Sequence, residues 1–82
     1  MKEFIEFIAK HLVEDPDQVS VSVEESEKGL LYRLTVGERD IGRVVGKEGR
    51  TARSMRTLLT ASAARLGQRA NLEIVDGSSE EE

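Results

Sequence analysis

The run Ile41-Gly42-Arg43-Val44-Val45-Gly46-Lys47-Glu48-Gly49-Arg50 is where residue types and spacing suit ligand chemistry, because glycines and basic residues sit between two apolar-periodic segments. Glycine lets backbone approach a ligand closely and adopts angles that other residues avoid. A helix opening after Gly49 would aim unpaired N–H groups and the positive end of its dipole at the turn, where a phosphate would meet donors already in place. Lys47 and Arg50 add charge at the same end. Arg53 and Arg56 follow at a spacing of three, so with Arg50 they make a basic ridge offset from the apolar face. A purely structural break between two helices leaves unexplained why the basic block begins at this place.

Two other glycine-rich phosphate motifs fail on spacing. A P-loop needs four residues between its first glycine and the Gly-Lys pair, followed by Ser or Thr, whereas three residues separate Gly42 from Gly46 and Glu48 follows Lys47. A dinucleotide fingerprint needs its glycines directly after a strand, and here a helical turn precedes them. Catalysis finds no footing either. The chain has no cysteine, which removes disulfides, thiolate chemistry and most zinc sites, and no carboxylate pair, activated nucleophile or metal-ligand cluster can be assembled from its residues. No cofactor is expected, and the lone His11 reads as a surface residue.

The elements that must position the glycine turn follow from periodicity. Phe4, Ile5, Phe7, Ile8 and Leu12 predict an amphipathic helix over residues 2–13, ended before Pro16. Val19, Val21 and Val23 alternate with polar residues as a half-buried strand, and Leu30, Tyr32, Leu34 and Val36 do the same against Leu31, Arg33 and Thr35. The polar connection over residues 24–29 suits an antiparallel hairpin, and Tyr32 reads as a core residue. Asp40 is the expected N-cap of a short helix over residues 41–45. A longer helix runs over residues 50–66, with Ala52, Met55, Leu59, Ala63 and Leu66 on one face and Gly67 placed to end it. Residues 71–75 form a third strand. The expected fold class is therefore α+β, in the order α-β-β-α-α-β, a two-layer sandwich whose three-stranded sheet has its helices on one face.

Eighty-two residues suffice for one small domain, and we place it at residues 1–76, with residues 77–82 as a disordered acidic tail. The net charge of −4 argues against a polyanionic partner until it is divided along the chain. Residues 1–38 carry 4 Lys/Arg against 9 Asp/Glu, residues 39–69 carry 8 against 2, and residues 70–82 carry none against 5. A basic middle between acidic flanks fits a polyanion-binding face on an otherwise acidic protein. No stretch reads as a signal peptide or membrane span, so the expected location is the cytoplasm.

The segment Val45-Gly46-Lys47-Glu48-Gly49-Arg50-Thr51-Ala52-Arg53-Ser54-Met55 resembles the KH signature, in which Gly-x-x-Gly lies between an apolar residue and a helix and clamps about four nucleotides. The element order matches the type II form of that fold. Residues 1–76 are similar to the KhpA family of bacterial single-KH proteins. The resemblance implies single-stranded RNA as partner, with Gly46, Lys47, Glu48 and Gly49 as the loop, and Lys47, Arg50 and Arg53 on phosphates. Ile41, Val45 and Met55 would line an apolar cleft for bases, and Ala52 would leave its floor shallower than the isoleucine common there. An acid at Glu48 repels phosphate unless it turns to solvent or pairs with a nearby arginine. Ser54, Leu58, Ala61 and Arg65 form a second stripe at spacings of three and four, turned from the core face. For that stripe the resemblance implies self-association, or pairing with a larger KH protein of the Jag type (KhpB). It also implies an RNA-chaperone-like role in post-transcriptional control, with effects on cell shape and cell-wall growth.

Overall fold

The structure is a computed structural model that describes residues 2–77. The expected acidic tail therefore lies outside the described residues except for Gly77. Helix α1 spans Lys2–Leu12, strand β1 Ser20–Ser26, strand β2 Gly29–Val36, helix α2 Ile41–Val45, helix α3 Arg50–Arg65 and strand β3 Ala70–Asp76. Short 3-10 turns occupy Pro16–Gln18, Glu38–Asp40 and Lys47–Gly49.

Strands β1 and β2 pair antiparallel from Ser20↔Thr35 to Ser26↔Gly29. The hairpin is tighter than expected, because Glu24 to Ser26 continue the ladder and only Glu27 and Lys28 make the turn. Strand β3 joins the other side of β2 in parallel, from Leu30↔Ala70 to Val36↔Asp76, so β2 is central and β3 is an edge. A parallel neighbour cannot be reached by a hairpin, and α2 and α3 form the crossover.

One face of the sheet carries the core. Tyr32, Leu34 and Val36 alternate inward from β2 and meet Ile5 and Ala9 of α1, Val44 of α2, and Met55, Leu59 and Ala63 of α3. The opposite face carries Arg33, whose Nε–H donates to Glu73 at 2.8 Å and whose Nη1 donates to Glu24 at 3.0 Å, tying all three strands together. The hydrogen bond to Glu73, then that to Glu24, raises the Arg33 pKa above its ordinary value.

Sequence and structure part at several residues. Phe4 and Phe7 share the spacing of Ile5 and Ile8 but face outward, and Phe7 is 63% exposed beside the His11 ring. Val23 points to the core side but is exposed. Leu66 is not on the buried face of α3; it is the C-cap residue, 70% exposed, and Gln68 N–H donates to Ala63 O at 2.9 Å to close the helix.

Asp40 occupies the expected N-cap position of α2 but does not cap the helix through its side chain. Its backbone is already near-helical, and its side chain makes no capping bond to α2. The carboxylate is instead 2% exposed and accepts the backbone N–H groups of Glu14 at 3.1 Å and Asp15 at 3.2 Å, with Arg43 Nε at 3.4 Å. Arg43 also reaches Glu14 at 2.8 Å, so this basic residue is committed to holding α2 against the end of α1. Replacing Asp40 by Ala strands two amides that lose an ionised acceptor, and the expected cost is about 2 kcal/mol in urea unfolding. An unchanged midpoint would show that the clamp carries no stability.

Candidate nucleic-acid interface

The turn between α2 and α3 is built by a close backbone contact. Gly46 has φ 80° and ψ 172°, a conformation essentially confined to glycine. A Cβ there would overlap Thr51 Oγ1 and lie 2.7 Å from Thr51 Cβ and 2.9 Å from its backbone N. The missing side chain thus lets the end of α2 lie against the first turn of α3. Gly46 N–H donates to Gly42 O at 2.9 Å and Gly49 N–H donates to Gly46 O at 3.1 Å, which folds Lys47, Glu48 and Gly49 into a single 3-10 turn. Gly49 is also left-handed, at φ 75°, but has open space where a Cβ would stand. Its conformation, not crowding, requires glycine.

Glu48 is left-handed as well, at φ 57°, and is the one such non-glycine residue among those described. The strained position turns its side chain to solvent, where Oε1 lies 3.3 Å from Arg50 Nη2. The acid in the loop is therefore paired with the neighbouring cation, in a solvent-exposed bridge worth little. The side chains of Lys47 and Arg53 make no ion pair among the described residues. With the first turn of α3 behind them, they leave an electropositive rim around Gly46 and Gly49.

Beside this rim lies an open groove of about 520 Å³. Val45, Gly49, Ala52 and Arg53 bound it from the helices, and Leu72, Glu73 and Ile74 bound it from β3. Ala52 is buried and small, which leaves the floor low where a larger side chain would fill it. Glu73 lines the groove, but its carboxylate is held by Arg33, which offsets its charge.

Of the expected site residues, Val45, Gly49 and Arg53 meet in this groove, and Gly46, Lys47, Glu48 and Arg50 form the turn at its mouth. Ile41 is half-buried and packs against the core. Met55 does not line the groove: it is 2% exposed and joins the core, because it lies three residues after Ala52 and four before Leu59 on the inward stripe of α3. The groove's strand wall, Leu72 to Ile74, was not foreseen. Its only signal was the apolar alternation of the last strand, which does not say beside which helix the strand docks. Ser54, Leu58, Ala61 and Arg65 all lie exposed on α3, with Leu58 at 49%. No cluster of three or more His, Cys, Asp or Glu suited to a metal occurs among the described residues, and none of their helices is long and apolar enough to cross a membrane.

A two-layer fold with β2 and β3 parallel, and Gly-x-x-Gly joining α2 to α3 at the mouth of a groove, defines a KH domain of type II. The profile of the KhpA/KhpB KH-domain family matches residues 2–74, and the chain belongs to that family. It is 47% identical over 74 residues to the RNA-binding protein KhpA of Borreliella burgdorferi, covering 90% of each chain. It is 42% identical over 76 residues to the RNA-binding protein KhpA of Chlamydia trachomatis, covering 93% of this chain and 97% of that one. Its fold is also similar to part of Aquifex aeolicus Era in a crystal structure with GDP and AlF4, with a TM-score of 0.65 at 20% identity. That match covers 92% of this chain and 29% of Era, and shows likeness of fold alone.

The two loop glycines should differ in tolerance. Gly49→Ala meets only the left-handed penalty and should lower stability by about 1 kcal/mol. Gly46→Ala adds a collision with Thr51 and should cost clearly more, read as the larger fall in urea midpoint. Equal shifts would mean that the Gly46–Thr51 contact relaxes freely.

Proposed function

We propose that this protein binds single-stranded RNA, with the Gly46–Gly49 turn against the sugar-phosphate backbone and bases lying in the groove between α3 and β3. The observation that carries this reading is the side-by-side placement of a glycine turn that approaches α3 closely and an open groove lined by both apolar and basic side chains, among them Val45, Leu72, Arg53 and Arg56. Lys47, Arg50 and Arg53 supply charge for phosphates, and Val45 and Ala52 supply apolar surface for bases. The relatives named as RNA-binding proteins support the same reading. One such site covers about four nucleotides, so useful affinity comes from two linked or associated sites.

The test is Lys47→Asp combined with Glu48→Asp, which takes this pair from net neutral to two negative charges without touching either glycine. RNA binding should be lost in fluorescence anisotropy while circular dichroism stays native. For the unmodified chain, about three phosphate contacts give a slope of about −2 in a plot of log affinity against log salt. Binding that survives the double substitution would place the site elsewhere.

A second reading, assembly through α3, draws on the exposed stripe of Ser54, Leu58, Ala61 and Arg65. Leu58 presents apolar surface to solvent, and Ser54 and Ala61 are small enough for close helix approach. In this reading the chain pairs with itself or with a Jag-type KH protein. An RNA-chaperone-like role, and effects on cell shape and cell-wall growth, would then run through the assembly in the cytoplasm. Leu58→Glu should shift the sedimentation of a self-associated species to that of a monomer while leaving anisotropy with short RNA unchanged. A chain that sediments as a monomer before substitution removes self-pairing from the reading.

A further inference from the structure

Arg56 leaves the basic ridge of α3 and crosses to the sheet, where its Nε–H donates to the Leu72 carbonyl oxygen at 3.3 Å. That carbonyl belongs to the free edge of β3. Leu30 N–H donates to Arg69 O at 2.8 Å, and residues along a parallel strand alternate between facing the neighbouring strand and facing away. Asn71 and Glu73 therefore turn their backbone groups toward β2, whereas Leu72 turns its own outward. Arg56 thus ties α3 to an edge carbonyl that no strand satisfies.

The bond stands at one end of the groove. Between the end of α3 at Arg65 and the start of β3 at Ala70 the chain reverses, so the strand runs back along the helix. Leading away from the glycine turn, the helix wall is Gly49, Ala52, Arg53 and Arg56, and the strand wall is Ile74, Glu73 and Leu72. Among the described residues, none beyond Arg56 on α3 and none before Leu72 on β3 lines the groove. Seven residues of helix from Gly49 to Arg56 rise about 10 Å, a length suited to the strand of about four nucleotides that a Gly-x-x-Gly site takes. Past Arg56 a second, more open depression begins, lined by Thr57, Thr60, Ala61 and Ala64, with Arg53 and Arg56 as the wall it shares with the first. The guanidinium that spans from helix to strand therefore lies across the path of anything seated in the groove.

We infer that Arg56 is a bar that ends the groove and so sets how many nucleotides one copy of the chain holds, turning the strand out to solvent after about four. The inference rests on the RNA-binding reading above and adds a length limit to it. Arg56 is in this sense a positioning residue. A cation that only met phosphates would strengthen binding at every length of strand, whereas a bar acts only on strands long enough to reach it. Arg53, one turn earlier and without a bond to β3 among the described residues, serves as the control for charge alone.

The experiment titrates the full chain against labelled oligouridylates lengthened one nucleotide at a time, read by anisotropy, for the unmodified protein, Arg56→Ala, Arg56→Met and Arg53→Met, with circular dichroism to confirm the fold. Affinity of the unmodified chain should climb steeply to about four nucleotides and then rise only with the number of registers a longer strand offers. Both Arg56 variants should move that break outward by about one nucleotide, since one further turn of α3 is about 5.4 Å, close to the step between phosphates in an extended strand. Arg56→Met keeps the apolar stem on α3, which guards the fold, but has no donor for Leu72. Arg53→Met should weaken all lengths by a similar factor and leave the break in place. Bridging of one strand by associated copies would act on all four proteins alike. If either folded Arg56 variant keeps the original break, or if Arg53→Met moves it equally, Arg56 is a phosphate or packing residue and the inference falls. If the unmodified chain binds the strands with no break, the RNA-binding reading stands and this inference falls; if it binds none of them, both fall.

Discussion

The contact between Gly46 and Thr51 sets the geometry on which the rest of the candidate site depends. Two helices that meet end to end normally need several residues of loop to turn, and side chains keep their backbones apart. Here a glycine in a conformation reserved for that residue lies directly on the first turn of α3, and three residues complete the connection. The donors at the start of α3 consequently stand next to exposed backbone, and the cations of α3 fan out from the same point. A bulkier residue at position 46 would push α2 away from α3 and open the mouth of the groove.

That local arrangement is braced from a distance. Asp40 and Arg43 fasten the front of α2 to the chain leaving α1, while Val44 buries the other side of the same helix in the core. On the far face of the sheet, Arg33 holds Glu73 and keeps an acidic groove residue from presenting an unpaired charge. The basic block of the sequence thus divides into two tasks. Arg43 serves the scaffold, and Lys47, Arg50 and Arg53 surround the turn. Net charge alone conceals this division, since the acidic flanks outweigh the basic segment.

Much of this was legible in the sequence because the relevant signals are local. The period-two runs of valine and leucine specify strands, the glycine spacing specifies the turn, and the basic block begins where the turn does. Assignments that depended on tertiary contacts went differently. Asp40 satisfied every local criterion for a cap, yet a remote pair of amides claimed its carboxylate. Met55 shares a helix with the site but falls on its inward stripe. Phe4 and Phe7 carry apolar side chains at helical spacing, yet the face of α1 that meets the core carries Ile5, Ile8, Ala9 and Leu12. The strand wall of the groove depends on pairing between residues some forty positions apart, as in Leu30 with Ala70, and no local pattern encodes that choice.

The late position of β3 has a consequence for how the molecule comes into being. Antiparallel β1 and β2 can zip from their own turn, but the groove has its second wall only when the final strand has crossed over both helices and docked. Non-local pairing of this kind is slow relative to helix or hairpin formation. A chain still emerging from the ribosome would form the glycine turn and expose its cations before it possesses a cleft, so the turn and the groove beside it would be completed at different moments of synthesis.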